Sequence, residues 1–267
     1  MVDLKDIKVF LFDMDGTLNM GDIPLEGAME TLNLLSKSGK KVCFVTNNSS
    51  RSKYDYLEKV HKMGYDAKIE QIITSGMATA QYINRHLPYK NVYVLGTNCL
   101  KQEFRDYGIE VVEIGEKADI VVLAFDVELT YEKLFHATNL ISNGSIYIAT
   151  HPDFVCPSDK GDMPDAGAIM ALIESTNGHR PDVIIGKPCS PMAEFVFDHC
   201  NANSEDIAFV GDRLYTDIKF AINNGMTSVL VLTGETDLPM LMKSDTKPDY
   251  VFDSVNDLRK YAVKEKN

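Results

Sequence analysis

At 267 residues the chain has room for one large α/β domain, or for a domain that carries a second one inside it. Its 39 Asp and Glu against 27 Lys and Arg leave a net charge of -12, which speaks against nucleic acid and anionic membrane as partners, because both bind positive surfaces. The 5 cysteines form no Cys-x-x-Cys pair, no signal-peptide pattern opens the chain and no apolar run reaches spanning length, so the expected location is cytoplasmic.

The first element is an apolar run over residues 7–12, cut off by Asp13-Met14-Asp15-Gly16-Thr17. It reads as a buried strand that stops in a polar cluster. Strand alternation would turn Asp13 and Asp15 to one side and Met14 to the other. Two carboxylates that close repel each other unless a cation or a shared proton relieves them, so a cation is expected here. Residues 16–24 form a polar loop, and the apolar spacing of Met29, Leu32 and Leu35 predicts a helix over 25–38, stopped by Gly39. A strand over 41–45 ends in Thr46-Asn47-Asn48-Ser49-Ser50-Arg51, and Ser52 with Asp55 predicts a capped helix through Met63. Strand, helix, strand, helix implies a parallel sheet, whose ligands gather at the carboxyl ends of the strands.

The middle of the chain repeats that grammar. Helices are predicted over 76–86, 98–107, 130–142 and 165–176, with strands over 91–95, 110–114, 119–125 and 145–149. Residues 150–164 are irregular and rich in Pro and Asp. A strand over 182–185 then ends in Gly186-Lys187-Pro188, a helix is predicted over 190–200, and a strand over 206–210 runs into Gly211-Asp212-Arg213-Leu214-Tyr215-Thr216-Asp217. A helix to Asn223, strands over 227–232 and 249–252 and a terminal helix complete the pattern. Common cofactor motifs are missing, including Gly-x-Gly-x-x-Gly, Gly-(x)4-Gly-Lys-Ser/Thr, His-Glu-x-x-His and Gly-x-Ser-x-Gly.

Four strand ends therefore carry chemistry: Asp-x-Asp-Gly-Thr at 13–17, Thr-Asn at 46–47, Gly-Lys-Pro at 186–188 and Gly-Asp-(x)4-Asp at 211–217. In identity and order they resemble the motifs of the haloacid dehalogenase superfamily of aspartate-nucleophile phosphatases, across essentially the whole chain. Lys187 follows Thr46 by 141 positions, a gap large enough for an extra domain of roughly 100 residues. An insertion there is similar to the large cap of the NagD-like and 4-nitrophenylphosphatase-like subgroup. The fold expected is a doubly wound, parallel-sheet α/β core (haloacid dehalogenase-like, Rossmannoid) with an inserted α/β cap. The core would span 1–77 and 186–267, the cap 78–185, with hinges near Ser75 and Ile185.

The resemblance implies roles. Asp13 would attack phosphorus and become an aspartyl phosphate, and Asp15 would serve as acid and then base. Thr46 and the Asn47 amide would hold phosphoryl oxygens, while Lys187 would supply positive charge. Mg2+ would be held by the Asp13 and Asp212 carboxylates and the Asp15 carbonyl, with Asp217 in the first or second sphere. Arg51, and His151, Asp153, Cys156, Asp162 and Asp165 of the cap, are candidates to touch substrate, against the reading that they face water or pair locally. The activity implied is magnesium-dependent hydrolysis of a small phosphomonoester, from a sugar phosphate, nucleoside monophosphate, glycerol phosphate or pyridoxal phosphate, with 4-nitrophenyl phosphate as surrogate. The alternatives are phosphoryl transfer to another acceptor, including a mutase, and a catalytically idle phosphometabolite-binding module. The resemblance also allows a homodimer through the cap.

Overall fold

A computed structural model describes residues 2–158 and 161–263. The chain divides into two compact units: residues 1–46, 53–73 and 196–267 form the first, and residues 47–52 and 74–195 the second.

The first unit is built on a six-stranded sheet with β1 (Val9–Phe12) inside it. Its other strands are β2 (Lys41–Thr46), β3 (Ile72–Thr74), β9 (Ile207–Gly211), β10 (Thr227–Val231) and β11 (Tyr250–Phe252), in the order β11-β10-β9-β1-β2-β3. Strand β1 pairs in parallel with β9 and β2, Leu11 lying opposite both Phe209 and Cys43. All four residues of β1 are buried, which is why it reads as an unbroken apolar run rather than an alternating one. The order runs outward on both sides of β1, so the switch point of the sheet lies at its carboxyl end. Phe10, Phe12, Phe44 and Leu32 are among the residues of its core.

The second unit has its own parallel sheet: β4 (Val92–Leu95), β5 (Val111–Val112), β6 (Ile120–Leu123), β7 (Ile146–Ala149) and β8 (Val183–Ile184), in the order β8-β7-β6-β4-β5. A separate core around Tyr93, Leu123, Tyr147 and Ile173 fills it. Its helices start where the side chains allow. Thr74, Thr97 and Thr130 each accept an N–H of the first turn, and Asp165 accepts the Ala166 N–H.

Most predicted elements are found with ends shifted by one or two residues. Three features differ in kind. The irregular stretch at 150–164 contains a short antiparallel hairpin, Val155–Cys156 with Met163–Pro164. A helix at Leu238–Lys243 follows the Asp237 cap. The segment after Asp212 opens not as an α-helix but as a π-helical turn, Leu214–Ile218, which passes into a short α-helix, Lys219–Asn223. In that turn the Ile218 N–H reaches back five residues to Arg213 O at 3.1 Å.

Candidate active site

In the first unit the structure brings Asp13, Asp212 and Asp217 together, their nearest carboxylate oxygens within 4.8 Å of one another. Asp13 is the first residue past β1, and its N–H still donates to Val210 O at 2.9 Å, so the sheet ladder holds its backbone. Asp212 follows β9 directly and is buried. Its Oδ2 accepts from the Glu235 N–H at 2.8 Å and its Oδ1 from the Thr17 hydroxyl at 3.2 Å. Asp217 sits in the π-helical turn, also buried, and its Oδ2 accepts from the Arg213 N–H at 3.2 Å. Gly16 must be glycine, because its φ is +87° and a Cβ there would lie 2.6 Å from Asp212 Oδ2.

The carboxylate that Asp13 crowds is Asp212, not Asp15. Burial, and then the charge of Asp13, push the Asp212 carboxyl up from 3.8 to about 6, against the hydrogen bond from Glu235, the charge of Arg213 and the Thr17 hydroxyl. Asp15 is exposed, and its Oδ1 accepts from Asn19 Nδ2 at 2.6 Å and pairs with Lys59 Nζ at 3.0 Å. Strand β1 ends at Phe12, so both acids lie just beyond it. Met14 is buried as expected. Three carboxylates this close repel one another, and with two of them buried they make an oxygen-only donor set. That is the chemistry a hard divalent cation such as Mg2+ fits. Thr46 ends β2 and is buried.

The other candidates lie in the second unit. Lys187 is 2% exposed. Its N–H donates to Asn47 Oδ1 at 2.8 Å, and its carbonyl accepts from Asn47 Nδ2 at 2.9 Å. Asn47 Nδ2 also donates to Asp153 Oδ2 at 3.0 Å. Arg51 and Asp162 are exposed, and Cys156 is half-buried with its Sγ 3.8 Å from Asn48 Nδ2. His151 and Asp165 do not present themselves to a ligand. His151 is fully buried, with Nδ1 2.9 Å from Thr150 Oγ1 and Nε2 2.8 Å from Asp165 Oδ1. Asp165 is itself buried, as the cap of helix Ala166–Asn177. Both ring nitrogens of His151 have partners, and the His151–Asp165 pair staples a loop to a helix.

The comparisons with known proteins follow the same residues. The profile of the haloacid dehalogenase-like hydrolases matches residues 10–110, and a second profile, described as HAD-hydrolase-like, matches residues 184–258. An acid sugar phosphatase of Staphylococcus aureus is 35% identical over 254 residues, covering 95% of this chain and 97% of the relative. The chain belongs to the haloacid dehalogenase-like hydrolases. Among solved structures of that family, a 4-nitrophenylphosphatase of Thermotoga maritima is 43% identical with a TM-score of 0.93, over 97% of this chain and 98% of that one. NagD of Escherichia coli K-12 is 28% identical with a TM-score of 0.86, over 94% of this chain and 97% of the other. The acidic cluster stands where open parallel α/β sheets bind their ligands, at the carboxyl ends of strands.

Several participants had little or no signal in the sequence. Lys59 lies on helix Lys53–Lys62, 44 positions from Asp15, and nothing in a surface-helix lysine announces that partner. The Glu235 N–H is a backbone group and invisible to any motif. Thr17 was within reach, because it closes the Asp-x-Asp-Gly-Thr signature.

Proposed function

We propose that this phosphatase hydrolyses small phosphomonoesters of the sugar phosphate, nucleoside monophosphate, glycerol phosphate or pyridoxal phosphate class, with 4-nitrophenyl phosphate as a surrogate. The observation that carries the reading is the Asp13, Asp212 and Asp217 cluster at the carboxyl ends of β1 and β9, in a chain related to an acid sugar phosphatase and a 4-nitrophenylphosphatase. Asp13 attacks phosphorus through a carboxylate oxygen, the bond to the ester oxygen breaks, and Asp15 gives that oxygen a proton. Water then attacks the aspartyl phosphate at phosphorus, Asp15 takes the proton back, and phosphate leaves with the Asp13 carboxylate restored. Thr46 and the Asn47 N–H hold phosphoryl oxygens, and Lys187 supplies positive charge to the transferring group. The Asp13 and Asp212 carboxylates and the Asp15 carbonyl would hold Mg2+, with Asp217 in its first or second sphere, and the ion would offset negative charge on the phosphoryl group. In the same reading residues 78–185 act as the cap that selects the leaving group, Arg51 belongs to the substrate contacts, and the enzyme works in the cytoplasm.

The test is phosphate release from a panel of such esters, with and without magnesium, for the wild type and Asp13→Asn. Magnesium-dependent release that disappears in the variant is expected, and the ranking of esters names the substrate class. Release that survives Asp13→Asn would sink the aspartyl-phosphate route. Binding of esters by metal-loaded wild type without release would turn the reading to a binding module.

A further inference from the structure

The loop over residues 150–154 is anchored on both sides of Asp153. His151 is stapled to Asp165, the Gly167 N–H donates to Asp153 O at 2.7 Å, and the Asp165 N–H donates to Phe154 O at 3.0 Å. With the main chain held in this way, the Asp153 side chain has one hydrogen bond among the described residues. Its Oδ2 accepts from Asn47 Nδ2, while its Oδ1 is buried without a hydrogen-bond partner among the described residues. Burying a carboxylate oxygen unsatisfied is destabilising, so packing alone does not account for this acid.

A carboxylate only accepts, so the group of Asn47 that faces it must be the amide nitrogen, and this decides which way the amide is turned. Turned so, Nδ2 has a second hydrogen for Lys187 O and Oδ1 is left to accept the Lys187 N–H. Both backbone polar groups of Lys187 are thereby clamped by one side chain. A flipped amide would set oxygen against the Asp153 carboxylate and the Lys187 carbonyl, and nitrogen against the Lys187 N–H, replacing three bonds with three repulsions. The clamp leaves no slack next door: a Cβ on Gly186 would lie 2.6 Å from Asn47 Oδ1 and 2.7 Å from His151 Cβ.

We propose that Asp153 is a positioning residue for Lys187, acting through the side-chain amide of Asn47. The proposal rests on the reading of Lys187 as the cation that meets the phosphoryl group. It assigns Asp153 no contact with substrate. Electrostatic help at a transferring group depends on placement, and a misplacement of about 1 Å can cost on the order of a hundredfold in rate.

The test is a double-mutant cycle on magnesium-dependent hydrolysis of 4-nitrophenyl phosphate, with kcat and KM measured for wild type, Asp153→Ala, Lys187→Ala and the double variant. Asp153→Ala is expected to lower kcat by about 10- to 100-fold with KM within about threefold. In the Lys187→Ala background the same change should alter kcat by less than about twofold. Asp153→Asn, which still offers an acceptor to Asn47, should recover to within about fivefold of wild type. Equal losses in both backgrounds would overturn the proposal alone, and so would a KM increase that varies with the ester, which marks direct substrate contact. A Lys187→Ala enzyme as active as wild type would overturn the reading of Lys187 and the proposal with it. Should Asp153→Ala fail to fold, Asn47→Asp carries the cycle. It sets a carboxylate against Asp153 and the Lys187 carbonyl, and the same non-additivity with Lys187→Ala is expected.

Discussion

The two units are variations on one architecture, a parallel sheet with helical connections, yet their strand ends are finished in opposite ways. At the carboxyl ends of β6 and β7 the polar groups answer one another. The Phe125 N–H donates to Ser49 Oγ, which is 3.0 Å from Thr150 Oγ1, which in turn is 2.9 Å from His151 and its Asp165 partner. At the carboxyl ends of β1 and β9 the carboxylates of Asp13, Asp212 and Asp217 are instead crowded together, within 4.8 Å of one another. The first arrangement is a fully answered network that adds rigidity. The second crowds like charges, a repulsion that a bound divalent cation would relieve. Parallel sheets offer many strand ends, and the ends left wanting a ligand are the ones that can do chemistry.

The largest contrast is expected from removing one member of each group. Asp13→Ala should lower phosphatase turnover by at least about 10⁴-fold, as loss of a nucleophile does, while raising the unfolding midpoint of the metal-free protein because it relieves Asp212. His151→Ala should act in the opposite sense on stability. It leaves the buried Asp165 carboxylate without its main side-chain partner and should destabilise by about 2–4 kcal/mol. Paired thermal unfolding and phosphate-release assays check both, and equal signs on stability would break the comparison.

Next in size is the pH dependence of the acidic cluster. The Asp212 carboxyl is raised from 3.8 to about 6 in the folded, metal-free protein. A raised carboxyl contributes stability that is fully present below the unfolded value and is lost as pH rises through the folded one, so the loss falls between about pH 4 and pH 6. Its size is about 1–3 kcal/mol. In chelator, Asp212→Asn should therefore gain on the wild type as pH rises through that window. Added magnesium should stabilise the wild type at neutral pH and leave the variant unmoved. Parallel stability curves for the two proteins from pH 4 to 7.5 would show that the carboxylates do not strain one another.

How much of this was legible in the residues follows from how local each signal is. Asp13, Thr46, Lys187 and Asp212 stand at the ends of short apolar runs in recognisable signatures, so the α/β class could be read, and so could two members of the acidic cluster, Asp13 and Asp212. The partners were not legible, because they come from afar. Lys59 meets Asp15 through tertiary packing, and Asn47 meets Lys187 across 140 positions. His151 illustrates the same limit in reverse. A histidine in a Pro- and Asp-rich stretch reads as a loop residue open to ligand, whereas the pairing of Val155–Cys156 with Met163–Pro164 precedes an Asp165 that meets His151 in a buried pair. The π-helical turn at Leu214–Ile218 escaped for another reason, since one turn of it differs from an α-helix by a single hydrogen-bond step.

A smaller effect is expected where the answered network is merely overfilled. Gly186→Ala sets a methyl group against Asn47 Oδ1, His151 Cβ and the Thr150 carbonyl, 2.6 to 2.7 Å away. Two of those three are held by hydrogen bonds of their own, so relaxation is limited and about 1–3 kcal/mol should be lost. A midpoint equal to wild type would mean that the clamp around Lys187 is looser than its distances say.

The smallest effect tests whether the segment over 47–52 is truly tied to the second unit. Thr97 does two things with one hydroxyl: it caps helix Asn98–Asp106 by accepting the Leu100 N–H at 3.3 Å, and it donates to Ser50 O at 3.0 Å. Thr97→Ser keeps both bonds and should stay within about 0.5 kcal/mol of wild type. Thr97→Val keeps the shape and loses both, and should cost about 1 kcal/mol from the cap and about another from the buried Ser50 carbonyl left unanswered. Hydrogen exchange separates the two contributions, because the first appears at Leu100 and the second as faster exchange across residues 48–52. A Thr97→Val variant that exchanges faster only in the helix would mean that the loop carrying Asn47 is held by Ser49 and Asn47 themselves, and that the second unit needs no further tie to it.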